Sequence, residues 1–373
     1  MYALSNSSRG NPSRAGRGHI RASSSSSGRQ RTSEGAHVGG RGHARPSRSR
    51  SRSRVINQPA NMPQEPALSE MTEDDVLLHG LNYVGFCPKR QSNVKNRELL
   101  INRFKAHFGP VPAAVVDLQL ELVEGFDQSC SFNHLMMTLH WFKCYQTEHC
   151  MSGIWKYGEE FCRNKVIEVA NNIRSLFNDK IVIDPTQFDP DEVHWLSVDT
   201  VNYITQEFRG TPSTDWYDPK SKSSGVKYEF ALPIRHGFCV WKRGPFKPGK
   251  NHDKTIFCGA KNKDTPKDQW DRSALYFQLP KGKKAIADSA YEGMADKVTV
   301  KRDGQDKAVI DFIDRAQNRQ EAYHARLDSY AILRHRFRHG KSTEKKIELH
   351  NLCVEALMVV VHFDLHHRPL WET

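Results

Sequence analysis

The sequence predicts an α/β protein: a mixed sheet flanked by helices, preceded by a helical region and a basic tail without fixed structure. Three observations carry this. Residues 1–70 are rich in Ser, Gly, Arg and Pro and hold few large apolar side chains; residues 96–178 repeat apolar positions at helical spacing; beyond Pro185, short strand-like runs end on carboxylates. The expected organisation is a disordered tail over 1–70, a helical region over 71–184 and an α/β domain over 185–373.

The tail carries a Ser run at 23–27 and a Ser-Arg repeat at 47–54. So little apolar surface cannot offset the entropy of ordering the chain. Its arginines suit a nuclear-import or phosphate-binding arm, and equally a solubilising tail. The net charge of +12 is concentrated here: residues 1–54 hold twelve arginines and one acid, Glu34, which leaves 43 basic against 42 acidic residues elsewhere. The remainder is therefore near neutral and is not a basic protein by its totals. The eight cysteines form no CxxC pair and no zinc-finger spacing. The opening MYALSNSSRG lacks the apolar run of a secretory signal, and the longest apolar stretch, Val354–Val361, contains Glu355 and is too short to span a bilayer. A soluble, intracellular, reduced protein with no membrane partner is expected.

In the helical region, Leu99, Leu100, Phe104 and Phe108 recur at helical spacing until Gly109-Pro110 stops them, and a second helix runs through Phe132, Leu135, Met136, Leu139 and Phe142. Thr147–Trp155, then Tyr157-Gly158, then Glu159–Leu176 reads as two helices about a tight turn. That pattern fits a helix-turn-helix presenting Arg163, Asn164 and Lys165, and also any small helical bundle. Two His pairs, His335/His339 and His362/His366, are four apart. With no third ligand in the pattern they read as surface residues.

The α/β domain opens with Trp195–Asp199, a run ending on Asp. An alternating segment, Gly225–Leu232, turns at Arg235-His236 into Gly237–Trp241, as an antiparallel hairpin does. A helical segment starts at Asp253, a strand over 283–288 ends on Asp288, and a long helix from Asp306 to Phe337 carries Glu321. A carboxylate at the end of a buried strand lies at the rim of a sheet, where ligands reach it. Acids on two strands and a helix suit divalent cations, which prefer anionic oxygen. Strand, hairpin, helix, strand, helix is the order of a ribonuclease-H-like core. The final stretch, Ser342–His366, places Leu349, Leu352, Cys353, Ala356, Leu357 and Val360 on one stripe. That stripe predicts a core helix; exposed in a monomer it would be a dimer face, so a homo-oligomer stays open.

Over residues 190–373 the motifs resemble those of Harbinger-like DDE superfamily endonucleases, a group of transposases. The family's Val-Asp-Gly-Thr block corresponds to Val198-Asp199-Thr200-Val201-Asn202-Tyr203. Its next block reads as Trp216-Tyr217, Lys220, Gly225 and Tyr228-Glu229, and its Gly-Pro-Phe block as Gly244-Pro245-Phe246, Gly249, Asp253 and Ile256-Phe257. Two more read as Ala287-Asp288-Ser289-Ala290-Tyr291-Glu292-Gly293, and as Arg319-Gln320-Glu321, His324, Arg326, Leu333 and Arg336–Gly340. A looser likeness extends through Leu139 to Gly153.

The resemblance implies a nuclear DNA endonuclease in which Asp199, Asp288 and Glu321 are catalytic and bind Mg2+ or Mn2+. It implies a supporting role for Asp253, nucleic-acid contacts at Lys220 and Arg326 beside Arg163 and Lys165, and a separate DNA-binding partner protein. The chain departs from the pattern at Thr200, where the family has Gly, and at His324, where it has Asn. Glu292 and Asp328 replace basic residues, and if they flank the site they work against holding DNA. Two readings follow: an endonuclease of transposase type, decayed or domesticated, and a non-catalytic DNA- or protein-binding protein derived from one.

Overall fold

The computed structural model describes residues 71–86, 97–125, 131–208 and 213–371. The expectation for the 1–70 tail lies outside them. The first helix, α1 (Glu73–Tyr83), begins at Thr72, whose hydroxyl accepts from the Asp75 N–H while the Asp75 carboxylate accepts from the Thr72 N–H. There follow α2 (Arg97–Phe108), α3 (Pro112–Gly125), α4 (Phe132–Cys144), α5 (Glu148–Trp155) and α6 (Glu159–Ser175). Between α2 and α3 the chain turns at Gly109, which has φ +99° and lies where a Cβ would enter the Tyr330 ring. Helices α5 and α6 are joined through Lys156 in the left-handed region, and they bury Met151, Trp155, Cys162, Val166 and Ile173.

A six-stranded mixed sheet follows, built from β1 (His194–Ile204), β2 (Tyr217–Asp218), β3 (Ser223–Pro233), β4 (Trp241–Phe246), β5 (Lys284–Ala287) and β6 (Val298–Val300). Strand β3 runs antiparallel to β1 on one side and to β2 and β4 on the other. On the far side of β1, β5 and β6 add in parallel. Residues alternate across the sheet as a pleated strand requires. Val226, Tyr228, Phe230 and Leu232 of β3 enter a core shared with the helices, whereas Ala231 enters a second core with Phe257, Leu275 and Tyr291. Across the sheet lie α7 (Asp253–Cys258), α8 (Lys307–Asp328) and α9 (Thr343–His367).

Helix α9 starts on the Ser342 hydroxyl; of its expected stripe, Leu352, Cys353, Ala356, Leu357 and Val360 are buried and Leu349 is half-buried against the same core. Val354, Met358, Val359 and Val361 are buried as well, so the helix is apolar nearly all round. It shares one continuous core with Phe104, Leu118, Phe142 and Ile173 of the helical region. The boundary expected at 184/185 therefore falls within a single core.

Three expectations need correction. The hairpin's second arm is Trp241–Phe246, not Gly237–Trp241. Phe238 is drawn out of the sheet to pack on His362 and His366 of α9, with ring centroids 5.1 and 4.6 Å away. Pro245 is accommodated because β4 is an edge strand. The long helix stops at Asp328 rather than Phe337, because Tyr330 turns inward beside Gly109 and the Phe337 N–H donates to Ile204 instead of continuing a helix. Of the histidine pairs, His335 and His366 are exposed as expected, whereas His339 and His362 are half-buried: His339 packs against Trp141, Tyr145 and Phe337, and His362 Nε2 lies 3.2 Å from His366 Nε2. No helix among the described residues is long and apolar enough to cross a membrane.

Candidate metal-binding active site

Five acidic residues, Asp199, Asp218, Asp253, Asp288 and Glu321, line a cleft of about 460 Å³ together with Lys220 and Lys227. Each comes from a different stretch. Asp199 is on β1, facing Phe230 of β3. Strand β5 pairs with β1 as far as Ser197 opposite Ile286, and continuing that register by two residues sets Asp288 beside Asp199. Asp199 is thus not at a strand end: β1 runs on to Ile204 beside β3. Asp288 directly follows β5, and its Oδ1 accepts from the Ala290 N–H at 2.9 Å, capping a short 3-10 turn. Glu321 is exposed on α8.

Asp199 is half-buried at the base of the cleft. Burial first, and then the neighbouring Asp288 and Asp253 charges, push its carboxyl up to about 7 against the opposing Thr200 N–H and Lys220. Its Oδ1 accepts from the Thr200 N–H at 2.7 Å. The Thr200 hydroxyl donates to Asp253 Oδ1 at 2.6 Å, and Lys227 Nζ donates to the same oxygen at 2.9 Å. Thr200, read from sequence only as the loss of a glycine, therefore ties the first acid to Asp253. Beneath the cleft Glu229 is fully buried; its Oε1 accepts from Trp241 Nε1 at 3.0 Å, and burial pushes its carboxyl up to about 7.

Helix α8 is fastened to the sheet by polar side chains that sequence reasoning missed. Gln317 Nε2 donates to the Ala287 carbonyl at 3.0 Å, Gln320 Nε2 donates to the Phe230 carbonyl at 3.2 Å, and the Ser197 hydroxyl donates to Gln320 Oε1 at 2.8 Å. A signal existed: Gln320 occupies a position in the stripe Ile313, Ala316, Tyr323 and Leu327, where an apolar residue is the rule. A buried amide there requires partners.

The cations expected to touch nucleic acid are placed unevenly. Lys220 is exposed on the cleft. Arg326 is turned away from it: Nη1 donates to Asp364 Oδ2 at 3.0 Å and Nη2 to the Arg368 carbonyl at 3.3 Å, because Asp364 is buried and draws cations to itself. On α6, Arg163 pairs with Glu148 at 3.2 Å and Lys165 with Glu168 at 2.7 Å, both outside the cleft. Glu292 and Asp328 are likewise not among the cleft-lining residues. Tyr291 turns inward and is fully buried, which leaves Glu292 exposed, with its carbonyl taken by Lys254. Asp328, the last residue of α8, has Arg334 as its charged neighbour.

Among the described residues, the group of His, Cys, Asp and Glu whose ligand atoms all lie within 4.8 Å of one another is His107, His140 and Cys144, from α2 and α4. Trp155 Nε1 donates to His140 Nδ1 at 3.2 Å, so the neutral His140 ring keeps its proton on the nitrogen left for a metal. Burial holds that ring neutral, with a pKa lowered to about 4. The cleft carboxylates form no group that tight among the described residues, as expected of anions that repel. Compared with protein-family models, with curated proteins and with solved structures, the chain gives no match.

Proposed function

We propose that the chain is a divalent-metal-dependent DNA endonuclease of the DDE transposase type, acting by phosphodiester hydrolysis and strand transfer in the nucleus. One observation carries the reading: Asp199, Asp288 and Glu321, picked from distant parts of the sequence, line one cleft. The sheet supports a ribonuclease-H-like core, with β4, β3 and β1 antiparallel and β5 and β6 parallel to β1. The turn between α5 and α6 suits a helix-turn-helix.

The donor set fits Mg2+ or Mn2+. Hard cations take carboxylate oxygens, and a divalent ion offsets the burial first and then the Asp288 and Asp253 charges that together raise the Asp199 pKa. Bound there, the ions supply Lewis acidity for hydrolysis and charge stabilisation for the leaving oxygen. Asp199 and Asp288 would hold them from the sheet side and Glu321 would complete the set from α8 on its longer side chain. Asp253, held by Thr200 and Lys227, stays a supporting residue. Lys220 meets the DNA backbone at the cleft. A separate DNA-binding protein and self-association belong to the same reading.

Incubating supercoiled DNA with the full chain and Mg2+ or Mn2+ tests it. Nicked circles that require metal and vanish in Asp288→Ala support the endonuclease. DNA binding without nicking supports the second reading, a non-catalytic DNA- or protein-binding protein derived from a transposase.

A further inference from the structure

We infer that His324 is a positioning residue that fixes the Asp199 carboxylate for cation binding, with Gln320 setting the tautomer that lets it do so. The inference rests on the metal-dependent reading of the cleft. The Phe230 carbonyl only accepts, so the Gln320 group 3.2 Å from it is the amide nitrogen. The Ser197 hydroxyl, 2.8 Å from Gln320 Oε1, donates there and agrees with that orientation. The same amide nitrogen stands 3.2 Å from His324 Nε2. Its second hydrogen can be used only if His324 Nε2 carries a lone pair. The ring is then neutral, with its one proton on Nδ1.

His324 Nδ1 faces Asp199 Oδ2 at 3.6 Å. Donors of this kind are often long in a ligand-free site and shorten when the site is engaged. The other carboxylate oxygen, Oδ1, already accepts from the Thr200 N–H at 2.7 Å. The Thr200 N–H thus holds one oxygen while the His324 donor stands 3.6 Å from the other, so engagement of the site needs only a small approach to hold both. The opposite tautomer would set a lone pair against the carboxylate and release it. His324 is 8 % exposed, so packing fixes its ring beside Asp199.

The experiment titrates Mn2+ into the full chain without DNA, for wild type, His324→Ala and His324→Asn. The asparagine amide can donate from nearly the same place as Nδ1–H. His324→Ala should bind Mn2+ at least about tenfold more weakly, the usual loss when a partner of a metal-ligating group is removed, and His324→Asn should recover most of it. Nitrogen NMR of histidine-labelled wild type, assigned by the signals lost in His324→Asn, should show a protonated Nδ1 and a bare Nε2. Equal Mn2+ affinity in wild type and His324→Ala, or a protonated Nε2, overturns this inference and leaves the metal site standing. If wild type itself binds no Mn2+, the proposed function falls and this inference falls with it. Should His324→Ala fail to fold, the tautomer and the affinity of His324→Asn decide: a protonated Nε2, or an asparagine variant about tenfold weaker, counts against it.

Discussion

The Thr200 hydroxyl donates to Asp253 Oδ1 at 2.6 Å, joining the strand that carries Asp199 to the start of α7. A hydrogen bond to a charged acceptor contributes about 1.5–3 kcal/mol. Lys227 remains on Asp253 when the hydroxyl is removed. Thr200→Ala should therefore lose about 1–2 kcal/mol in urea unfolding, and Thr200→Ser should lose far less. Equal stability of the alanine and serine variants would show that the link contributes nothing.

Asp199 should leave its mark on the pH dependence of stability. Its folded-state pKa is raised from 3.8 to about 7, so between those values the folded chain keeps a proton that the unfolded chain releases. Its contribution is fully present at low pH and is lost as pH rises through that window. Buried His140 and His350, with pKa values lowered to about 4 and about 3, act in the opposite direction, so the informative quantity is a difference. Asp199→Asn should gain stability relative to wild type as pH rises from about 5 to about 8, and saturating Mn2+ should erase that gain. Mn2+ should also bind wild type more tightly above pH ~7 than below it. A pH-independent difference between the two proteins would contradict the assignment.

Arg326 is expected to matter for folding and not for DNA. Asp364 is 3 % exposed at its side chain and accepts from Arg326, from Arg368 and from the Val111 N–H at 2.9 Å. Asp364→Ala strands two guanidinium groups and a buried N–H, and should cost about 3 kcal/mol or more. Arg326→Gln should cost less and leave the DNA dissociation constant unchanged. A large loss of DNA affinity in Arg326→Gln, with stability intact, would restore it to the substrate groove.

The cleft and its surroundings can be separated by salt. Lys220→Ala should weaken DNA binding at every salt concentration and lower the slope of log K against log salt by about one. Glu292→Arg with Asp328→Lys should change affinity little, since neither side chain lines the cleft. A clear gain of affinity in that double variant would place acidic groups in the path of the DNA after all.

Much was legible in the sequence where neighbours along the chain decide the outcome. Ser342 starting α9, the stripe Leu352-Cys353-Ala356-Leu357-Val360 facing a core, and Ala285–Ala287 ending on Asp288 follow from capping and from the periods of helix and strand, which act over a few residues. Those same periods put Asp199 on a strand, Asp288 at a strand's end and Glu321 on a helix, the resemblance singled them out among the chain's acids, and the fold brings them to one cleft. Tertiary structure alone decided which charges are free. Arg326 and Lys220 look alike in sequence, yet a buried carboxylate 38 residues away claims the first and leaves the second in the cleft. Phe238 left the hairpin for α9, and Tyr330 broke the long helix, because each found a buried partner surface far along the chain. Gln320 became the anchor of His324 only where β1 and β3 brought Ser197 and the Phe230 carbonyl beneath α8. Local periodicity sets where a side chain points, whereas desolvation and pairing depend on what the rest of the chain folds against it.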